Sequence, residues 1–158
     1  MRTAARGIII KDNNLLVMDR NKFGLKYYAL VGGGVDRGET PEQALYREIA
    51  EETTVKIANH KLVIVEDAGE MYGIQYIYVC DYVSGEPKLD PASIEASITE
   101  QGQNTYRPVW LPLADLPQVN FLPGQIADAI LSFIKNGFPE EPLSIKIDDS
   151  VVYNRTNQ

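Results

Sequence analysis

Cysteine, histidine and tryptophan each occur once in the 158 residues, as Cys80, His60 and Trp110. One cysteine excludes an internal disulfide, and its apolar setting marks Cys80 as a small core residue. One histidine leaves no His/Cys ligand set for a zinc site. No run approaches the ~20 apolar residues of a membrane span, and no charged-then-apolar signal opens the chain. A cytoplasmic protein with no membrane partner is expected. Basic clusters are missing as well. With 15 Lys+Arg against 22 Asp+Glu the net charge is −7, so nothing is available to neutralise a nucleic-acid backbone, and no nucleic-acid partner is expected. An acidic chain that binds a phosphate-bearing small molecule needs a cation between the two. There is no internal repeat. A hydrophobic content of 44% in 158 residues suffices for one packed domain and is too little for two.

What is present is concentrated in residues 33–55, GGVDRGETPEQALYREIAEETTV. A glycine-rich loop leads into a helix rich in glutamate. Thr40 suits the N-cap, Pro41 the first helical position, and Gln43 completes a capping box, so the spacing predicts a helix over 41–53. At ~3.6 residues per turn, Glu48, Glu51 and Glu52 share an arc of about 100° beside the apolar positions Leu45 and Ile49. Glu48 and Glu52 are an i, i+4 pair of like charges, which repel. A solvated acidic face balanced by Arg47 would be the structural explanation. A divalent cation would remove the conflict, and hard oxygen ligands at this density suit Mg²⁺ or Mn²⁺. The glycines at 32, 33 and 34 let backbone groups approach a ligand closely.

This stretch resembles the Nudix box. Gly33, five residues, Glu39, seven residues, then Arg47-Glu48-Ile49-Ala50-Glu51-Glu52-Thr53-Thr54-Val55 follow the family's intervals, save that a glycine is replaced by Thr54. Threonine is costly in a left-handed C-cap, so the helix exit is expected to use a right-handed or extended turn. Many relatives also carry proline just before the glycine pair, where Val31 stands here. The resemblance implies an α/β/α sandwich with a mixed β-sheet and a Nudix hydrolase (MutT-like) domain over residues 1–138. It implies metal-dependent cleavage of a diphosphate bond in a nucleoside diphosphate linked to another moiety. A non-catalytic nucleotide-binding sensor of the same fold is the alternative.

The roles it implies are these. Glu48, Glu51 and Glu52 bind metal, with Gly33 offering its carbonyl. Arg47 orients the acids and Glu39 pairs with Arg47. Glu51, Glu52 and Glu100 are candidates for the general base. Relatives often donate a further acid from the loop before a Trp-bearing strand, and Glu100 is placed ahead of Glu95 for that part. Arg20 corresponds to a phosphate-contacting position, Gly32 and Gly34 to the substrate-facing backbone, and Tyr72 to a tyrosine that holds a base. Dimerisation is common among relatives, and a homodimer is left open here.

Around the box, residues 3–10 and 15–18 read as a hairpin through Asp12-Asn13-Asn14, with Arg20 just beyond its second strand. Residues 21–26 read as a mobile polar loop in which Lys22 and Lys26 could reach phosphates. Strands are predicted at 27–31, 62–65 and 71–83. The last carries bulky residues in both registers, as a central strand covered on both faces does. Residues 84–104 read as a long polar loop, 106–111 as a strand with Trp110, and 111–117 as a turn. Ile126, Ala129, Ile130 and Phe133 give a second helix over 123–136, closed by Gly137. In the tail, 139–158, residues 144–147 are a candidate edge strand, in this subunit or a neighbour's, the alternative being a disordered tail.

Overall fold

A computed structural model describes residues 2–147. Strand β1 (Thr3–Lys11) returns as β2 (Asn14–Lys22) through Asp12 and Asn13, whose φ values of 50° and 62° make the two-residue turn that suits strand twist. β2 passes to β3 (Leu25–Gly34) through an equally tight turn at Phe23 (φ 51°) and Gly24 (φ 95°). Residues 21–26 are therefore not a loop. Asn21 and Lys22 stay in register with β3 on one side and with a later strand on the other, and Arg20 lies inside β2. The hydrophobic pattern stopped at Met18 because backbone pairing, not burial, carries the strand onward.

Helix α1 (Pro41–Thr53) has the predicted bounds, and its capping box is complete: Gln43 N donates to Thr40 Oγ1 at 3.1 Å, and Thr40 N to Gln43 Oε1 at 2.9 Å. After it come β4 (Lys56–Asp67), the single turn α2 (Gly69–Tyr72) and β5 (Ile74–Ser84). Met71 thus belongs to α2 and not to the strand. The chain continues through α3 (Ile94–Glu100), β6 (Asn104–Pro112), a 3-10 turn (Leu113–Gln118), α4 (Gly124–Asn136) and β7 (Leu143–Lys146). Helix α3 breaks the loop expected at 84–104. It is capped by Ser93 and buries no residue fully, so it carries no apolar stripe to reveal it.

The seven strands form one mixed sheet in the order β6-β2-β3-β1-β5-β4-β7, with β1 parallel to β5 and β4 parallel to β7. Its two faces carry separate cores. Ala5, Ile9, Leu16 and Val31 pack with Leu45 and Ile49 of α1. Ile8, Leu15, Val17 and Ile64 pack with Ile126, Ile130 and Phe133 of α4. Strand β5 serves both, with Tyr78 and Cys80 on the first face and Ile77 on the second, as its double register predicted. This is the α/β/α sandwich expected. β7 pairs with β4 of its own chain, and the remainder of the expected tail, 148–158, lies outside the described residues. No helix among the described residues is long and apolar enough to cross a membrane.

The exit of α1 departs from expectation. Thr54 adopts φ 58°, ψ 8°, the left-handed C-cap usually given to glycine. Its amide donates to Ala50 O at 3.0 Å and its hydroxyl to Glu86 O at 3.0 Å. Lys88 N donates to Thr53 O and Asp90 N to Glu51 O, so residues 86–90 are stitched along the end of the helix. The unfavourable φ is offset by bonds that glycine could not make in full.

Candidate active site

The end of strand β3, helix α1 and the first turn of α3 build the site. Gly32 and Gly33 close β3 against α1. A Cβ on Gly32 (φ 134°) would collide with the β1 backbone at Ala5 and Arg6, and one on Gly33 would fall onto the Glu48 carboxylate. Glycine at both positions lets the loop backbone lie directly on the acids. Gly32 N donates to Glu52 Oε2 at 3.0 Å, which fixes that carboxylate under the loop with 7% of its surface exposed.

Arg47 organises the acids beside it. Its Nε and Nη2 donate to the two oxygens of Glu39, at 2.7 and 2.9 Å, in the bidentate geometry a guanidinium favours. Nη1 donates to Glu48 Oε1 at 2.9 Å and to Glu51 Oε2 at 3.3 Å, and Nη2 also to Gly34 O at 3.0 Å. The hydrogen bonds from Arg47 hold the Glu39 carboxyl down at about 2, and Glu39 in turn raises the guanidinium pKa further.

Carboxylate oxygens of Glu48, Glu52 and Glu95 lie within 4.8 Å of one another, a metal-ligand grouping among the described residues. Burial pushes Glu52 up to about 8 and Glu48 above the usual carboxylate range, the latter opposed by Arg47. Three acids at this spacing are poorly compensated by one arginine that touches only Glu48 of the three. A divalent cation with hard oxygen preference fits such a set.

The placement of the remaining candidates is mixed. Glu51 is exposed to 44% and stands on the Arg47 side, outside that trio. Glu100, preferred from the sequence, is exposed at the C-terminal end of α3 and is not in the group, whereas Glu95 in the first turn of α3 is. The stitching of residues 86–90 onto α1 is what carries the start of α3, and not its end, to the helix glutamates. Arg20 stands outside the acid group. It donates to Thr105 O at 3.2 Å, to Tyr27 Oη at 3.2 Å and to Asn104 Oδ1, and its guanidinium stacks on Tyr106 at 3.7 Å. Arg20, Lys22 and Tyr72 line a cavity of about 320 Å³ between the sheet and α4.

That cavity contains residues the sequence reading passed over. Arg6, Gln75 and Glu66 come from adjacent strands β1, β5 and β4, and line its wall. Arg6 Nε donates to Gln75 Oε1 at 2.9 Å, and Arg6 Nη1 to Gly32 O at 3.2 Å, so Gly32 touches both the acid cluster and the cavity wall. Arg6 interrupts an otherwise apolar strand and Glu66 ends another, which is the signal that was available.

The sandwich and the acid-bearing helix behind a glycine loop are those that the Nudix resemblance implies. The NUDIX domain model matches residues 1–131, and the chain belongs to that family. An RNA pyrophosphohydrolase of Psychromonas ingrahamii is 46% identical over 57 residues, 36% of this chain and 32% of that protein. An ADP-ribose pyrophosphatase of Methanocaldococcus jannaschii is 36% identical over 98 residues, 59% of this chain and 58% of that one. The chain spans about a third of the length of the first relative and less than two thirds of the second. Among solved structures, a MutT NUDIX hydrolase from Burkholderia pseudomallei superposes with a TM-score of 0.60 at 27% identity, covering 80% of this chain and 94% of that one. A NUDIX hydrolase from Nitrosomonas europaea gives 0.66 at 18% identity over 90% and 93%.

Proposed function

We propose that this chain is a metal-dependent hydrolase of a diphosphate bond in a nucleoside diphosphate linked to another moiety. The observation that carries the reading is the approach of Glu48, Glu52 and Glu95 to within 4.8 Å under a glycine loop. Glu48, Glu52 and Glu95 would hold the cation, with the Gly33 carbonyl as a further donor. Mg²⁺, or Mn²⁺, would supply charge neutralisation at the diphosphate and lower the pKa of water.

The chain's own residues do the rest. Arg47 fixes the acids by its fork to Glu39 and its bonds to Glu48 and Glu51. Gly32 N holds Glu52 in place. Of Glu48, Glu51 and Glu52, Glu51 has the freest access to solvent, and it takes the proton from the water that attacks phosphorus. The substituted phosphate then leaves. Glu100 is not adopted as a base, since it stands apart from these groups. The names of the relatives widen the substrate range to be tried, because RNA ends and ADP-ribose both contain the bond in question.

The test is product release from nucleotide sugars, ADP-ribose, dinucleoside polyphosphates, nucleoside triphosphates and 5′-triphosphate or NAD-capped RNA, with Mg²⁺, Mn²⁺ or chelator. Turnover that needs metal and fails in Glu52→Gln supports the hydrolase. Metal-dependent binding without turnover of any member would overturn it in favour of a nucleotide sensor.

A further inference from the structure

Glu66 is 3% exposed at the edge of the cavity between the sheet and α4, and its Oε2 has no hydrogen-bond partner. Buried carboxylate oxygens are almost always paired, because an unpaired one forfeits its hydration without return. Its surroundings define what could pair with it. Arg6 contributes a cation on the same wall, and Arg2, Arg20 and Lys22 line the same space. Four cations against one acid disfavour a positively charged ligand and favour one with an anionic part. Tyr27, Tyr72 and Phe121 offer flat surfaces, and Leu30, Ile77 and Ile126 an apolar floor. A planar heteroaromatic ring with neutral N–H donors for Glu66, a carbonyl for Arg6 and an anionic tail meets these conditions.

Base chemistry narrows the choice. Guanine carries two adjacent donors, N1–H and the 2-amino group, next to the O6 acceptor. Adenine and cytosine each set one amino donor beside a bare ring nitrogen, and uracil sets a carbonyl on either side of its N–H. Any of these three would leave a carboxylate oxygen facing a lone pair. Position agrees with this reading, because Gly32 accepts from Arg6 on the cavity side and donates to Glu52 on the other. A base held by Arg6 and Glu66 has its phosphates directed past Gly32 toward the acids.

We propose that Glu66, with Arg6 beside it, is the specificity-determining pair of this chain and selects a guanine nucleotide. The proposal rests on the hydrolase reading only for the fate of the phosphates, since base selection is read by binding alone. Gln75 is a positioning residue: it accepts from Arg6 and its Nε2 donates to Tyr72 O at 2.8 Å, which ties β1 and β5 to α2.

The experiment is calorimetric titration of the full chain with GMP, IMP, XMP and AMP, at about pH 8, where the carboxylate is charged. The native chain is expected to bind GMP about tenfold or more tighter than IMP, which lacks only the 2-amino group. XMP, which turns a carbonyl toward Glu66, should bind more weakly still. Glu66→Gln should cut GMP affinity about tenfold and narrow the GMP/AMP ratio, because an amide presents one donor and one acceptor. Equal affinity for GMP and IMP in the native chain overturns the proposal and needs no variant. So does a GMP/AMP ratio unchanged in a folded Glu66→Gln. Guanine selectivity without hydrolysis of any substrate would sink the hydrolase reading and leave this one standing, and base-blind hydrolysis would do the reverse.

Discussion

The two faces of the sheet treat buried acid in opposite ways. On the α1 face Glu48, Glu52 and Glu95 are gathered, and the first two are held by protein donors, Arg47 Nη1 and Gly32 N. On the α4 face Glu66 stands alone with an oxygen that meets nothing. Burial raises the pKa on both faces, Glu52 to about 8 and Glu66 to about 7. The difference lies in what would relieve it. A group of carboxylates converging from two helices is suited to a cation, whereas a single carboxylate beside an arginine on one cavity wall is suited to a neutral donor edge. One residue, Gly32, joins the two.

The comparison breaks most readily at Glu52. Glu52→Gln keeps shape and removes charge, and turnover of the best substrate should fall by at least ~100-fold, since even outlying partners of metal ligands are worth about 10–100-fold. Thermal stability in chelator should hold or rise, because a desolvated acid has been removed. Equal loss of stability and activity would show that Glu52 is a packing residue.

Glu66 should reveal itself through pH. Its folded-state value of about 7 lies above the ordinary 4.5, so the native state retains a proton that the unfolded chain gives up between those values. Stability attached to this group is therefore full at acid pH and lost as pH rises through 7. The loss is on the order of 3 kcal/mol for a shift of this size. Glu66→Gln should match the native chain in urea near pH 4.5 and exceed it near pH 8. A constant difference across that range would mean that Glu66 finds a partner in solution. Glu52 tilts the native curve in the same direction, so the difference between the two proteins, and not the slope of either, is the readout.

Arg47→Lys tests whether the acid group needs a fork or only a charge. Lysine cannot reproduce two parallel bonds to Glu39 while reaching Glu48 and Glu51. Turnover should drop by about 10–100-fold, and the Glu39 carboxyl should titrate nearer its ordinary range by NMR. An unchanged Glu39 titration would show that Asp36 N, which donates to Glu39 at 2.9 Å, does the holding.

The α1 face was largely legible before the fold was known, and the α4 face was not. Residues 33–55 are contiguous, so capping, periodicity and spacing all act within one stretch of chain. Arg6 meets Gln75 and Glu66 only because β1 runs parallel to β5, which in turn pairs with β4, and the first of these pairings joins distant segments that no local pattern encodes. That Glu95, and not Glu100, lies with the helix glutamates was hidden for a related reason. It depends on residues 86–90 being bound to α1 through backbone atoms, and backbone bonds leave little trace in side-chain identity.

Thr54 is where that hidden stitching can be probed with the smallest effect. Its left-handed backbone costs about 1–2 kcal/mol relative to glycine, while its hydroxyl bond to Glu86 O returns about 1 kcal/mol. Thr54→Gly relieves the first, forfeits the second and adds flexibility to the unfolded chain, so the net change should lie within about 1 kcal/mol of zero. Thr54→Val retains the strained backbone and the branched shape but loses the bond, and should destabilise by about 1 kcal/mol or more. The two variants thus separate strain from tether. If Thr54→Val also weakens metal binding while Thr54→Gly with equal stability does so too, the tether is what keeps Glu95 against Glu48 and Glu52. If neither variant changes metal affinity, the bonds from Lys88 and Asp90 to the helix end suffice, and the threonine hydroxyl is local to the cap.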